Sequence, residues 1–170
     1  MIKLDSIIVK IKYRKYKAAL EIKDKVTIIS GPSATGKSTL HRILEVSDSK
    51  KIIDISDKHY DLQHIKHRSQ LVDLVTKEAF KEYRIYIIDA GDLTIDNKIA
   101  SLIAKSRDVY FVITYRKAPI ELNSSIYAIK QLVIDENGII RLTDYKKGQL
   151  NDLYSIWSYQ SKDSSKILYT

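Results

Sequence analysis

The clearest sequence motif in this chain lies in one short segment near the N-terminus. Gly31-Pro32-Ser33-Ala34-Thr35-Gly36-Lys37-Ser38 matches the phosphate-loop (Walker A) pattern G-x-x-x-x-G-K-[ST] at every fixed position. In such a loop the glycines let successive backbone N–H groups turn toward phosphate oxygens, and the lysine reaches the β- and γ-phosphates. The serine hydroxyl is a ligand of Mg²⁺. The segment therefore predicts a binding site for Mg²⁺ and a nucleoside triphosphate.

The residues of this predicted site are expected to have different roles. Lys37 is the candidate catalytic cation, and Ser38 is the candidate metal ligand. The residues expected to contact the phosphates are Gly31, Ser33, Ala34, Thr35, Gly36, Lys37, Ser38 and Thr39. A second metal ligand is expected at the end of a neighbouring buried strand. Asp89 fits this role, because it ends the mostly apolar run Ile85-Tyr86-Ile87-Ile88.

Composition narrows the class of protein. The chain has 170 residues and a formal charge of +8. It has no cysteine, and this excludes a disulfide scaffold and thiolate metal sites. No apolar run approaches the roughly 18 residues that span a bilayer, and the N-terminus has no signal-peptide core, so a cytoplasmic protein is expected.

Positive charge is concentrated near the N-terminus. The basic residues of this stretch are Lys10, Lys12, Arg14, Lys15, Lys17, Lys23 and Lys25. Such a segment attracts polyanions, so the hairpin Lys10 to Lys25 is a candidate surface for a nucleic-acid or protein partner. The competing interpretation is an ordinary solvated hairpin face.

Hydrophobic periodicity predicts alternating strands and helices in one domain, residues 1–170. Strands are predicted at 7–13, 18–22, 26–30, 51–55, 85–89, 109–114, 126–135 and 139–144, and helices at 37–46, 61–83, after Thr94, and in the last twenty residues. Asn137-Gly138 between apolar runs indicates a hairpin. The pattern predicts an α/β fold: a mostly parallel sheet covered on both faces, with antiparallel hairpins at the N-terminal and C-terminal ends.

The sequence resembles the ATP-binding-cassette (ABC) ATPases, including their SMC-like relatives. The likeness is carried by the first hairpin, the phosphate-loop segment 27–40, the acidic strand with the loop after it at 85–96, and the late strand and turn at 128–141. The resemblance implies a three-layer P-loop NTPase fold and hydrolysis of ATP. It also implies an aromatic side chain that stacks on adenine, for which Tyr13 and Tyr16 are available. That contact, and the absence of an Asn-Lys-x-Asp sequence that reads guanine, favour ATP over GTP.

The sequence also departs from that family. Asp89 is followed by Ala90, where the family has a glutamate that activates water, so Asp92 would have to substitute or hydrolysis would be slow. Tyr115 occupies the place of the family's switch histidine. The Leu-Ser-Gly-Gly signature and its helical subdomain are missing, which argues against the family's sandwich dimer.

The predicted function is ATP binding with weak or partner-stimulated ATPase activity, acting as a nucleotide-dependent switch. Two alternatives stay open: a small-molecule or nucleoside kinase, and a nucleotide-gated module that binds nucleic acid through the basic hairpin. His64 and His67 are interpreted as part of a solvated helix face.

Overall fold

The computed structural model describes residues 6–30, 36–77, 80–91, 96–115 and 127–144. The elements, in chain order, are β1 (Ile7–Tyr13), β2 (Tyr16–Ile22), β3 (Val26–Ile29), α1 (Lys37–Glu45), β4 (Ile52–Ile55), β5 (Asp61–Ile65), α2 (Arg68–Thr76), β6 (Arg84–Gly91), α3 (Asn97–Lys105), β7 (Val109–Tyr115), β8 (Tyr127–Ile134) and β9 (Ile139–Asp144).

The strands form one mixed sheet in the order β4-β1-β2-β9-β8-β3-β7-β6-β5. From β8 to β5 all neighbours are parallel, and we call these five strands the parallel half. The other four strands form the hairpin half, in which β1 is antiparallel to both β2 and β4 and β2 is parallel to β9. The antiparallel pair β8 and β9 joins the two halves.

The sheet curls until its two edge strands approach each other. The edge strands β4 and β5 are consecutive in the chain and are joined only by residues 56–60. The six peptide units of that connection span at most about 20 Å. In a flat sheet, eight spacings of about 4.8 Å would separate the two edges by about 38 Å. The strands of the described residues therefore form a nearly closed barrel with its opening between β4 and β5.

Each half shows the burial pattern that its surroundings require. Every residue of β3 is buried, because α1 packs on the inner face of the sheet and α2 and α3 cover the outer face of the parallel half. Buried and exposed residues alternate along β1, whose inner side joins the cluster around α1. Helices thus cover both faces of the parallel strands, whereas β1 exposes its outer face.

The predicted three-layer α/β fold of the P-loop NTPase type is wrong. Sheet dominates the described residues, with three helices of nine residues each, and the sheet closes around α1 instead of forming a flat middle layer. The resemblance to ABC-type ATPases, which rested on one loop motif and on strand patterns, is not supported by this architecture. A short motif specifies a local turn and a helix start, but sheet curvature depends on contacts between strands far apart in the chain.

Three local predictions also need correction. Residues 61–83 are not one helix, since 61–65 form β5 and, among the residues described in this range, the helix covers 68–76. The strand at 51–55, expected to be buried, is the edge strand β4, and three of its four residues are exposed. The helix predicted to be capped by Thr94 begins after Asp96, whose carboxylate accepts the Ile99 N–H at 2.9 Å. Thr94 itself and the last twenty residues lie outside the described residues.

Other local predictions are confirmed, with bounds that differ by a few residues. The first hairpin, the strand and helix on either side of the phosphate-loop motif, and the strands β6 and β7 are all present. The last hairpin turns at Gly138, which has a φ of 77° that only glycine adopts without strain. None of the helices in the described part of the chain has the length and apolar character needed to cross a membrane.

Candidate functional site

The phosphate-loop motif lies between the buried strand β3 and the start of α1. Gly36 is the N-cap of α1 and has a φ of 110°, a left-handed conformation that explains why the motif requires glycine there. Lys37, Ser38 and Thr39 form the first turn of the helix, and the Ser38 side chain is exposed whereas Lys37 and Thr39 are half-buried. Helix N-termini present unpaired N–H groups and a partial positive charge, which favours phosphate. The described part of the motif therefore fits a phosphate ligand.

Three neighbouring strands of the parallel half end level with this turn. In the sheet register, Ile29 of β3 lies beside Thr114 of β7, and Thr114 lies beside Asp89 of β6. The Asp89 side chain is half-buried. Because the strands are parallel, their carboxyl ends meet at one edge of the sheet. The register thus places Asp89 level with the end of β3, the strand that precedes the phosphate-loop motif.

A buried hydrogen-bond chain lies one helical turn behind Lys37. His41 Nε2 is 2.7 Å from the Thr114 hydroxyl oxygen, and His41 Nδ1 is 2.8 Å from His64 Nε2 on β5. The Thr114 hydroxyl donates a longer bond of 3.4 Å to the Ile88 carbonyl oxygen. This chain ties α1 to the carboxyl ends of β5, β6 and β7.

All the hydrogen bonds of this chain of side chains can form with both imidazole rings neutral. If Thr114 donates to the Ile88 carbonyl, His41 Nε2–H donates to Thr114, and His64 Nε2–H donates to His41 Nδ1. One added proton on His64 breaks none of these bonds. A second added proton would place two N–H groups against each other, so the pair holds at most one positive charge.

Burial keeps this pair neutral near pH 7. Desolvation lowers the pKa of His41 below its usual value, although the charges of Asp89 and Glu45 act in the opposite direction. Desolvation, followed by repulsion from His41, lowers the pKa of His64 to about 4. Glu45 is bound to Lys66 at the rim of the same region. The surroundings therefore hold two neutral rings beside the carboxylate Asp89.

The structure places some of the predicted site residues and not others. Gly36, Lys37, Ser38 and Thr39 lie at the start of α1, and Asp89 lies near the carboxyl end of β6. The predicted residues Gly31, Ser33, Ala34, Thr35 and Asp92 lie outside the described residues. Of Tyr115, only the backbone is described, and it ends β7.

The candidate adenine-stacking tyrosines lie at the bend of the first hairpin. The Tyr13 hydroxyl donates to Asp48 at 3.1 Å, and the Arg14 guanidinium lies 5.2 Å from the centre of the Tyr13 ring. Tyr16 is more exposed, and the Lys15 ammonium lies 5.5 Å from the centre of its ring. A base stacking on the cation-covered face of either ring would have to displace that cation.

The basic hairpin separates into two groups of residues. Lys10 and Lys12 lie on the outer face of β1, and Lys12 is directly opposite Lys17 of β2. Lys25, in contrast, donates to the Ala104 and Ser106 carbonyl oxygens at 3.0 and 2.7 Å, which caps the end of α3. Lys25 therefore belongs to the packing of the parallel half rather than to the basic surface.

Sequence reasoning missed His41 and Thr114 and misplaced His64. His64 lies half-buried on a strand instead of on a solvated helix face. The one available signal was the polar residue His41 within the apolar stripe of Leu40, Ile43 and Leu44 on α1. Nothing in the sequence identified its partners, because they are 23 and 73 residues away.

No protein-family model and no curated protein matches this chain. Among solved structures, the chain is similar to one described as a model of ribosome-bound archaeal Pelota and ABCE1. The identity is 14%, the TM-score is 0.43, and the similarity covers 92% of this chain and 37% of that one. This chain thus spans well under half of that neighbour's length, and a similarity of this size carries no argument about function.

Proposed function

We propose that this protein binds Mg²⁺ and ATP at the turn between β3 and α1. The observation that carries the proposal is the register that brings Asp89, at the end of β6, level with the end of β3, where the phosphate-loop motif begins. A complete phosphate-loop pattern, a left-handed Gly36 and a metal-binding carboxylate at the same edge are the parts that such a site needs.

Each residue has a distinct role in this proposal. The Lys37 ammonium neutralises the β- and γ-phosphates, the Ser38 hydroxyl ligates Mg²⁺, and Asp89 holds the metal directly or through water. Gly31, Ser33, Ala34 and Thr35 would supply further backbone N–H groups, whereas Pro32 has none. Tyr13 or Tyr16 supplies a stacking face for adenine, which favours ATP over GTP.

Turnover is proposed to be slow in the isolated protein. Ala90, buried behind Asp89, cannot accept a proton from an attacking water. Asp92 and Tyr115 are the remaining candidates for positioning water or sensing the γ-phosphate. ATP binding and release would then act as a switch. We expect a single-turnover rate constant below about 1 s⁻¹, and a faster rate would contradict the switch.

Calorimetric titration of the full chain with ATP, GTP and ADP, with and without Mg²⁺, tests binding. Lys37→Ala should weaken Mg·ATP binding by about 10- to 100-fold, since a hydrogen bond to a charged group contributes about 1.5–3 kcal/mol. Asp89→Asn should weaken binding only when Mg²⁺ is present. Lys98→Ala, an exposed change on α3, is the matched control and should bind as wild type does.

Two outcomes would contradict this assignment. Absence of binding to any nucleotide would show that the motif is not a nucleotide site, and equally weakened binding in Lys98→Ala would show a non-specific charge effect. Phosphate release that requires an added nucleoside or nucleoside monophosphate, with phosphorylation of that acceptor, would indicate a kinase instead.

A second candidate function is nucleic-acid binding through the outer face of the hairpin half. Lys12 and Lys17 lie directly opposite each other, which is unfavourable unless an anion compensates. Lys10 lies on the same face, and Arg14 and Lys15 extend the charge into the turn. These five residues form what we call the basic face. Partner binding there would couple to ATP in a nucleotide-gated module.

Binding of a fluorescent single-stranded or duplex DNA, measured against salt concentration, tests this second function. Removing one lysine that neutralises a phosphate should reduce the slope of log K against log salt by about 0.7 to 0.9. Lys12→Gln combined with Lys17→Gln should reduce the slope by nearly twice that amount, and Lys98→Gln should leave it unchanged. Unchanged binding in the double variant would exclude the basic face as the site.

A further inference from the structure

The opening between β4 and β5 is an unusual feature of this sheet. Following the pairings around the sheet from β5 to β4 shows that the two edge strands run in opposite directions. They are consecutive in the chain and are joined by five residues, as in a hairpin. Among the described residues, β4 pairs with β1 and β5 pairs with β6, and the two edge strands do not pair with each other. The hairpin is splayed open.

The free edge of β4 presents backbone groups of two residues. The Ser56 N–H donates to the Ile8 carbonyl oxygen at 2.9 Å and the Ile8 N–H donates to the Ser56 hydroxyl oxygen at 2.9 Å, so Ile8 directs its backbone groups toward this strand. Pairs alternate in such a ladder, and Asp54 is therefore bonded to β1 whereas Ile53 and Ile55 are not. The N–H and C=O groups of Ile53 and Ile55 point away from β1, into the opening.

The free edge of β5 presents a matching set. The Asp61 N–H donates to the Tyr83 carbonyl oxygen at 3.0 Å, so Asp61, and by alternation Gln63, bond to β6. The backbone groups of Leu62 and His64 then point outward. Two unpaired strand edges with alternating donors and acceptors thus face one opening.

The opening is a groove of about 590 Å³ with a mixed lining. Ile53, Ile55, Tyr60 and Leu62 supply apolar surface, and Ile55 and Tyr60 belong to the inner core cluster. Charged groups stand beside them, including an ion pair between Lys58 and Asp54 at 2.5 Å. A strand placed here would alternately direct side chains toward the apolar interior and toward solvent.

We propose that this groove binds one extended peptide segment of a partner protein, which inserts as a tenth strand and closes the barrel. The bound segment would pair antiparallel with one edge and parallel with the other, and its alternate residues would be apolar. A second copy of this chain is a poorer occupant, because β4 is only four residues long and carries the Lys58–Asp54 pair, features that disfavour edge-to-edge association.

Selection from a phage-displayed library of random heptapeptides against the full-length protein tests the proposal. Enriched peptides should have apolar residues at alternate positions. In hydrogen exchange, a synthetic version of such a peptide should slow exchange at the amides of Ile53, Ile55, Leu62 and His64. The amides of Asp54 and Gln63 should be protected with or without peptide.

Ile53→Pro removes an N–H that faces the groove and is not bonded to β1, so we expect peptide binding to weaken at least tenfold. Ile53→Val retains the N–H and should bind as wild type does. If Ile53→Pro does not fold, the hydrogen-exchange pattern decides alone. Failure to enrich any peptide, or protection at other amides, would overturn the proposal. It would also be overturned if the four outward amides were already protected without peptide, as they would be if a second copy or another part of this chain closed the groove.

Discussion

The two halves of the sheet differ in what covers their outer faces. On β7, the outward residue Phe111 is fully buried, with the Phe80 ring edge-on at 4.9 Å and the Tyr86 ring stacked at 5.7 Å. On β1, the outward residue Ile8 is 37% exposed, with Lys10 next on the same face of the strand and Glu21 opposite it on β2. The outer face of the parallel half is therefore part of a second hydrophobic core, whereas the outer face of β1 is solvated and charged. The two faces differ because α2 and α3 cover only the parallel half among the described residues.

We expect the largest change in the free energy of unfolding when these two outward residues are each replaced by alanine. Phe111→Ala should lower the free energy of unfolding by about 3–5 kcal/mol, because it removes a buried ring and leaves a cavity. Ile8→Ala, at an exposed position on the other half, should cost less than about 1 kcal/mol. Urea denaturation of both variants measures the difference. Equal decreases in stability would show that the outer face of the hairpin half is also covered.

The next largest effect is a dependence of stability on pH, which we expect because the buried pair His41 and His64 links α1 to the parallel half. The native pKa of His64, about 4, is below the usual value of 6.5, and that of His41 is also lowered. The native state thus binds fewer protons than the unfolded state. Stability from this source is complete above about pH 6.5 and is lost as the pH falls toward 4.

We expect the wild type to lose roughly 1–2 kcal/mol more than His64→Gln between pH 6.5 and 4.5, after allowance for solvent screening of a half-buried ring. Urea denaturation across that range measures the decrease. Lys98→Gln, an exposed change on α3, should retain the wild-type pH dependence. A wild-type profile in His64→Gln would mean that the imidazole pair is not buried and neutral as described.

The smallest expected effect has the opposite sign and lies in the hairpin half. Lys17→Gln should raise the free energy of unfolding by about 0.5 kcal/mol at low salt, because it removes like-charge repulsion from Lys12 across the strands. The increase should shrink in about 1 M NaCl, where the screening length is about 3 Å. Lys98→Gln on α3 should show no comparable increase. Lower stability in Lys17→Gln would mean that Lys17 has a compensating partner.

Prediction from sequence succeeded where the signal was local. Alternation in residues 7–13 and 18–22, the buried run at 26–29 and the Asn137-Gly138 turn each specify structure within a few residues, and each is confirmed. The helix predicted at 61–83 failed because its apolar spacing of three and four also accommodates a short strand followed by a short helix. Its first part pairs with β6, and a periodicity argument does not include that partner.

The phosphate-loop motif, the glycine required at position 36, the carboxylate at Asp89 and the basic first hairpin can all be predicted from neighbours in the chain. The curling of the sheet around α1, the contacts of His41 with His64 and Thr114, and the groove between β4 and β5 depend on residues that are distant in the sequence. These features arise from strand order and packing between residues tens of positions apart, where many pairings compete and only the complete core selects one.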